Sequence, residues 1–276
     1  MKKALKVFMS LLIFVFSFSL ISCSKKSTIS DKPKITIATD ADTKPFTYSD
    51  GENVTGYDIE VARQVFTKAG YEVEIIVTDF DSTLAGLDTG RYQVVANDIG
   101  YNEGRADKYY FSYPLSKSNN AVATKKDVKA VKLSDLAGKT TEVLPTANFT
   151  KTLQTYNENN PNNQSILQYV DANYPIASRL LDVESGKIDF ILYDAISLKT
   201  IIQDQGIDLS VQNIESETQD THDGYEYFVF SKDKAGKKLQ EQANQALNEL
   251  RRDGTLKSLS EKFFAGDFVP DAEAYN

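Results

Sequence analysis

The sequence predicts an α/β protein of two lobes, and three observations carry that prediction. Strand and helix patterns alternate from residue 34 to residue 100, which is the signature of a parallel sheet covered by helices. A polar, extended stretch follows at 116–130, after which the alternation restarts for about a hundred residues. The chain then ends in one strand pattern and two helix patterns that have no sheet of their own. That tail must pack on a lobe already formed. Its expected return to the first lobe gives two chain crossings and a hinge.

Residues 34–39 (KITIAT) alternate as a strand does and end at Asp40. The segment 41–58 is rich in turn formers and reads as a loop that places Phe46 and Tyr48 beyond the strand end. Ile59, Ala62, Val65, Phe66 and Ala69 recur at helical spacing, and Gly70 stops that helix. Residues 71–77 form the next strand, and Phe80, Asp81 and Ser82 lead a short helix with Leu84 and Leu87 on its apolar face. In the second unit 140–144 is a strand, Thr146 caps a helix, and 165–170 is a strand. Ile176, Leu180 and Val183 lie on a helix that ends at Gly186, before an apolar strand at 188–192. A last strand, 226–230, precedes helices carrying Leu239, Ala243, Leu247 and Leu250, and then 256–264.

The stretch 94–114 concentrates the chemistry. Its strand runs into Asn97, Asp98 and Gly100, and Gly allows close approach of backbone to a ligand. Asn102 is an N-cap candidate, with Glu103 in the first turn and Arg105 one turn in. An arginine over a strand end suits a carboxylate, because its fork of donors makes two-pronged contact. The competing reading is a surface arginine paired with Glu103 or Asp107.

The N-terminus sets the compartment. Lys2, Lys3 and Lys6 precede an apolar run over 7–21 and then Ser22–Cys23, the order of a secretory signal. Residues 20–23 (LISC) resemble a bacterial lipobox, which makes Cys23 the lipidated first residue of the mature chain. Cys23 is the only cysteine, so no disulfide framework exists. Loss of a segment with three lysines and no acids leaves 28 Lys and Arg against 39 Asp and Glu, a net charge of −11. That balance gives no footprint for nucleic acid. The one histidine, His222, lacks companions for a metal site and reads as a plain loop residue.

Several of these features occur together in a known family. The strand ending in Asp40, Pro45–Phe46, Gly56-Tyr57-Asp58, 84–90 (LAGLDTG), the Arg105 element with Phe111–Ser112 and Pro114, 136–139 (LAGK), 186–194 and 262–264 keep its order and spacing. From about Lys34 onward the chain resembles the solute-binding proteins of ABC importers, in the branch for polar amino acids. The resemblance implies a type II periplasmic-binding-protein fold with a two-stranded hinge. It divides the chain into a signal peptide (1–22), a lipidated cysteine and polar tether (23–33), the first part of lobe 1 (34–120), lobe 2 (121–221), and a return to lobe 1 with the C-terminal helices (222–276).

By position the resemblance makes Arg105 the grip on a ligand α-carboxylate and Asp194 the partner of its α-ammonium. It places Asp40, Asn97, Asp98 and Gly100 on the first lobe's side of the cleft, and Thr146, Ala147 and Asn148 on the second's. Asp194 taken alone also reads as a helix cap. Residues 80–87 (FDSTLAGL), 96–100 (ANDIG) and 146–149 (TANF) look like the cystine-binding branch. The departures are Phe80 for tryptophan, Asp98 for glutamine, Ala147 for serine and Thr43 for a stacking aromatic. With Thr43 in that place, Phe46, Tyr48, Phe80, Tyr101 and Phe149 remain as candidate aromatic walls, each equally suited to a core. Asp98 in a partly dry cleft calls for a positive or donor-rich partner, such as a second ammonium.

The expected protein is a monomer that captures an L-amino acid, cystine first, and hands it to an ABC permease without a cofactor or metal. Arginine, histidine or glutamine are the alternative ligands. A dehydratase on the same fold is the rival class, and it lacks a nucleophile–base constellation or a histidine near the expected cleft.

Overall fold

A computed structural model describes residues 32–215, 222 and 224–275. The signal segment and Cys23, with its tether up to residue 31, lie outside the described residues.

The first lobe supplies β1 (Lys34–Thr39), a small antiparallel sheet of β2 (Asp42–Thr43), β3 (Thr47–Asp50) and β4 (Asn53–Thr55), and the helix Tyr57–Lys68. Then come β5 (Glu72–Val77), the helix Phe80–Asp88, β6 (Val94–Gly100), the short helix Glu103–Ala106 and β7 (Tyr109–Phe111). Alternation along the strands sorts the core. Ile35, Ile37, Val94 and Ala96 pack toward Val61, Val65 and Phe66 on one face. Ala38, Val95 and Ile99 pack with Leu87 and Tyr92 on the other.

The second lobe supplies β8 (Asn120–Thr124), β9 (Thr140–Val143), the helix Asn148–Asn159, β10 (Ile166–Tyr169) and the helix Ile176–Ser185, which ends at the left-handed Gly186. β11 (Phe190–Asp194), the helix Ala195–Gln205 and β12 (Ser210–Asn213) complete it. The chain then returns as β13 (Glu226–Ser231), followed by helices Lys234–Arg252 and Thr255–Phe264.

The two sheets share one plan. The first is ordered β5-β1-β6-β13-β7, with β1 parallel to β5 and β6, and β13 antiparallel to β6 and β7. The second is ordered β10-β9-β11-β8-β12, with β9 parallel to β10 and β11, and β8 antiparallel to β11 and β12. In each sheet the antiparallel insert is the strand next to a crossing, so the sheets are tied through their interiors. The terminal helices settle on the first lobe, where the Phe264 ring packs 4.8 Å from Phe46 and 4.5 Å from Tyr57.

The crossings run side by side. Leu115 N donates to Glu226 O (2.9 Å), Glu226 N to Ser116 O (3.4 Å) and Ser118 N to Gly224 O (2.8 Å). Gly224 is required here. Its φ is +77°, and a Cβ on it would stand 2.0 Å from the Ser118 carbonyl oxygen.

Several expectations shift. The helix after β9 begins at Asn148 with Ala147 at its N-cap and no side-chain cap, so Thr146 does not cap it. The apolar strand at 188–192 pairs from Phe190 to Asp194 instead. The turn-rich segment 41–58 holds β2 to β4, because its turn formers are the bends between very short strands. β7 and β12 escaped the sequence reading because three or four residues give too few alternations to register.

Candidate functional site

Between the lobes lies a cavity of about 450 Å³, a size suited to a small ligand. From the first lobe Phe80, Asn97, Asp98, Gly100 and Arg105 line it, and from the second Ala147, Asn148 and Asp194. Asp40 borders a smaller cavity of about 360 Å³ that shares Leu144, Arg179 and Tyr193 with the first. Phe46 and Thr146 border neither. Phe46 is 0% exposed and belongs to the core, held there by Phe264 and Tyr57. Its sequence position next to a strand end had suggested a wall; its packing makes it a core residue.

The β6 end is shaped by Asp98, whose φ is +49°, a left-handed conformation that an aspartate tolerates better than most residues. The pairing of β6 with β13 shifts register there, between Tyr227 and Val229. The Asp98 amide is tied down by Asp58 Oδ2 at 2.8 Å. Burial, with Asp194 and Asp58 close by, pushes the Asp98 carboxyl well above the usual range. Asn97 works behind it. Its Oδ1 accepts from Thr39 Oγ1 (2.7 Å) and Asp40 N (2.6 Å), and its Nδ2 donates to Asp40 Oδ2 (2.9 Å), which fixes the β1 end. Burial raises Asp40 to about 6.

Asn102 caps the helix Glu103–Ala106 by accepting from the Arg105 amide at 2.8 Å. That cap aims the Arg105 side chain, 7% exposed, into the gap between the lobes. Nη1 donates to Gly100 O and Nη2 to Thr146 O, both at 2.9 Å, so one guanidinium touches both lobes. Burial lowers its pKa to about 10, which leaves it charged at neutral pH. The surface-pair alternative with Glu103 or Asp107 is therefore not what the structure has. The Thr146 hydroxyl bonds Asp81, closing the rim beside it.

Asp194 ends β11 and caps the helix Ala195–Gln205, with Oδ1 accepting from Ser197 N at 2.8 Å. Burial raises it to about 6 against the pull of the first helical amides. The cap role is therefore present, on a carboxyl that also faces the cavity. Asn148 bridges the lobes, accepting from Asn102 Nδ2 (2.6 Å) and donating to Tyr101 O (3.1 Å). Gly100 is matched to it, since a Cβ there would stand 2.6 Å from Asn148 Nδ2.

Of the candidate walls, Phe80, Tyr101 and Phe149 line the cavity, whereas Tyr48 does not. The sequence reading missed Tyr193, whose ring lies 4.8 Å from Phe149 and whose hydroxyl meets Thr43 Oγ1 across the lobes at 3.3 Å. It also misplaced His222. That ring stacks on Tyr101 at 4.1 Å, bonds the Tyr227 hydroxyl at 3.0 Å and borders the cavity, so a histidine does stand near the site. Asp58 and Glu226 were missed as well. They meet behind Asp98, fully buried, and burial raises Asp58 to about 7 and Glu226 well above its usual range.

The known bacterial extracellular solute-binding proteins, family 3, match residues 35–266. The chain belongs to that family. It is 32% identical over 245 residues to the L-cystine-binding protein TcyA of Bacillus subtilis, covering 87% of this chain and 85% of TcyA. It is 30% identical over 226 residues to the L-cystine-binding protein TcyJ of Escherichia coli K12, covering 81% and 79%. A solved structure from work on glutathione import via GshT and the cystine ABC importer TcyBC of Streptococcus mutans is 36% identical, with a TM-score of 0.82. That match covers 88% of this chain and 99% of the other. The fold is thus the two-lobed, hinged type II plan of periplasmic binding proteins. Among the described residues no helix is long and apolar enough to cross a membrane.

Proposed function

We propose that this family member captures an L-amino acid, cystine foremost, by closure of the lobes and delivers it to an ABC permease. One observation carries the reading: Asp98 and Asp194, from opposite lobes, face the same cavity as Arg105. A zwitterion needs a fixed cation and a fixed anion, and cystine brings a second ammonium for the second carboxylate. Arg105 grips the α-carboxylate, Asp194 the α-ammonium, and Asp98 the ammonium of the other half. Phe80, Tyr101, Phe149 and Tyr193 enclose the apolar middle. Asp40, Asn97, Gly100, Ala147 and Asn148 shape the two jaws. Ligand that touches both jaws favours the closed arrangement by its differential affinity. The names of TcyA and TcyJ support cystine. Glutathione is the second reading, favoured by the 36% identity to the structure from work on glutathione import.

The test is calorimetry on the full-length chain, purified in detergent and refolded to strip carried ligand. Tight one-to-one binding of cystine, with arginine, histidine, glutamine and glutamate weak, is the expected result. Tight binding of glutathione alone replaces the ligand and keeps capture by closure, with Arg105 and Asp194 on its one amino-acid end and no ammonium for Asp98. Ligand recovered unchanged after long incubation supports a binding protein; its conversion revives the dehydratase.

The proposed location is the outer face of the cell membrane, held by lipid on Cys23. Cys23→Ser is expected to release the protein into the medium with its affinity unaltered. Membrane retention of that variant overturns the anchor.

A further inference from the structure

Arg179 is a second buried guanidinium in the cleft, and nothing in the site described so far employs it. It lies on the helix Ile176–Ser185, on the same stripe as Ile176, Leu180 and Val183, where the rest of the face is core. It is 5% exposed, and its Nε has no hydrogen-bond partner among the described residues. Its guanidinium carbon sits 5.9 Å from the centre of the Tyr193 ring. Asp42, Glu142 and Asp40 act on its charge, but none hydrogen-bonds its Nε: Asp42 Oδ2 accepts from the Ile176 amide at 3.3 Å, Glu142 Oε1 pairs with Lys187 at 2.9 Å, and Asp40 Oδ2 accepts from Asn97 Nδ2 at 2.9 Å. A buried guanidinium with an unbonded Nε keeps donor capacity to spare, and its cost of burial falls further if an anion from outside takes that donor.

Its place says which part of a ligand supplies that anion. Arg179, Tyr193 and Leu144 border both cavities, so they stand between the space around Arg105 and the space beside Asp42 and Thr43. A ligand whose α-amino-acid end is fixed between Arg105 and Asp194 extends its far end toward that boundary. We infer that Arg179 is the anchor for a second, distal carboxylate, and that the protein selects amino-acid ligands carrying a carboxylate at each end. The inference rests on the amino-acid reading of the site and adds to it a residue that sets specificity. The Tyr193 ring lies within cation–π range of the guanidinium, and Thr43 Oγ1 meets the Tyr193 hydroxyl.

Both cystine and glutathione have the two carboxylates; arginine, histidine and glutamine have one. The test therefore compares ligands that differ only at the far end: cystine with the cysteine–cysteamine mixed disulfide, and glutathione with its glycine monoethyl ester. Titrations use the full-length wild type, Arg179→Gln and Arg179→Lys, with thermal melts to confirm folding. Wild type is expected to lose at least about tenfold in affinity when the distal carboxylate is removed, and Arg179→Gln to bind both members of the pair within about twofold. Arg179→Lys should keep part of the preference. A wild type indifferent to the distal carboxylate overturns the inference, and so does a preference that survives in Arg179→Gln. Tight binding of arginine or histidine in place of the dicarboxylates also overturns it while leaving the amino-acid reading intact. Failure of the wild type to bind any of these compounds defeats the amino-acid reading itself, and the inference with it.

Discussion

Replacing Arg105 by alanine should weaken ligand binding by two orders of magnitude or more, about 3 kcal/mol, the scale for removing one partner of a buried charged pair. The loss has two parts. The ligand carboxylate is left without its cation, and the carbonyls of Gly100 and Thr146 lose the donor that bridges the lobes. Arg105→Lys separates them, because an ammonium keeps the charge and lacks the planar fork. It should recover part of the affinity and little of the bridge. Calorimetry reads the first effect and thermal melting of ligand-free protein reads the second. Alanine at 105 with near-normal affinity would remove Arg105 from the site.

The second large effect is on pH. Burial raises Asp40 and Asp194 to about 6 and Asp58 to about 7, and it pushes Asp98 and Glu226 well above the usual carboxylate range. With both ionised, Asp58 Oδ1 and the two Glu226 carboxyl oxygens have no donor, so a proton held on Glu226 and shared with Asp58 satisfies Asp58 and one of the Glu226 oxygens. The facing charges are the other carboxylates and Arg105, which lies beside Asp98. Raised carboxyl pKa values mean that the folded chain holds protons the unfolded chain gives up near pH 4. Stability from this cluster is therefore greatest at or below about pH 4 and declines as pH rises through 6 and 7.

Ligand binding runs the other way, since an ammonium favours the ionised carboxylates. Affinity should rise with pH from about 5, by up to tenfold per pH unit for each proton released, and flatten only once Asp194 and Asp98 are both ionised in the free protein. Titrations in two buffers of different ionisation enthalpy count those protons directly. Proton uptake on binding, or affinity that falls as pH rises, would exclude an ammonium at Asp98 and Asp194.

What could be read from the sequence was what depends on near neighbours. The Asn102 cap and the Arg105 that follows it are three residues apart, and the capping contact formed as its spacing implied. The alternation of β1 and the helical spacing from Ile59 to Ala69 are likewise local, and both elements form. Distant encounters were not legible. Asp58 and Glu226 meet only because β13 inserts beside β6, and no pattern in either segment announces it. Phe46 next to a strand end looked like a cleft wall because nothing nearby reveals Phe264 descending on it. Arg179 did leave a signal, a charge at i+3 from Ile176 on an apolar stripe, which ordinarily marks either an error of phase or a group with business inside.

The paired crossings have a consequence for how such a protein changes over generations. Their ladder is made of backbone amides and carbonyls from 115–118 and 224–226, and at Gly224 the close approach of the Ser118 carbonyl leaves no room for a side chain. Most of the residues that meet the cavity stand elsewhere, at strand ends and helix starts such as Asp98, Asn148 and Asp194, while Gly224 and Tyr225 of the ladder border it as well. Motion and preference are thus written largely, though not wholly, in separate parts of the chain. A new ligand can be acquired by exchanging a few cavity side chains while the joint is inherited untouched.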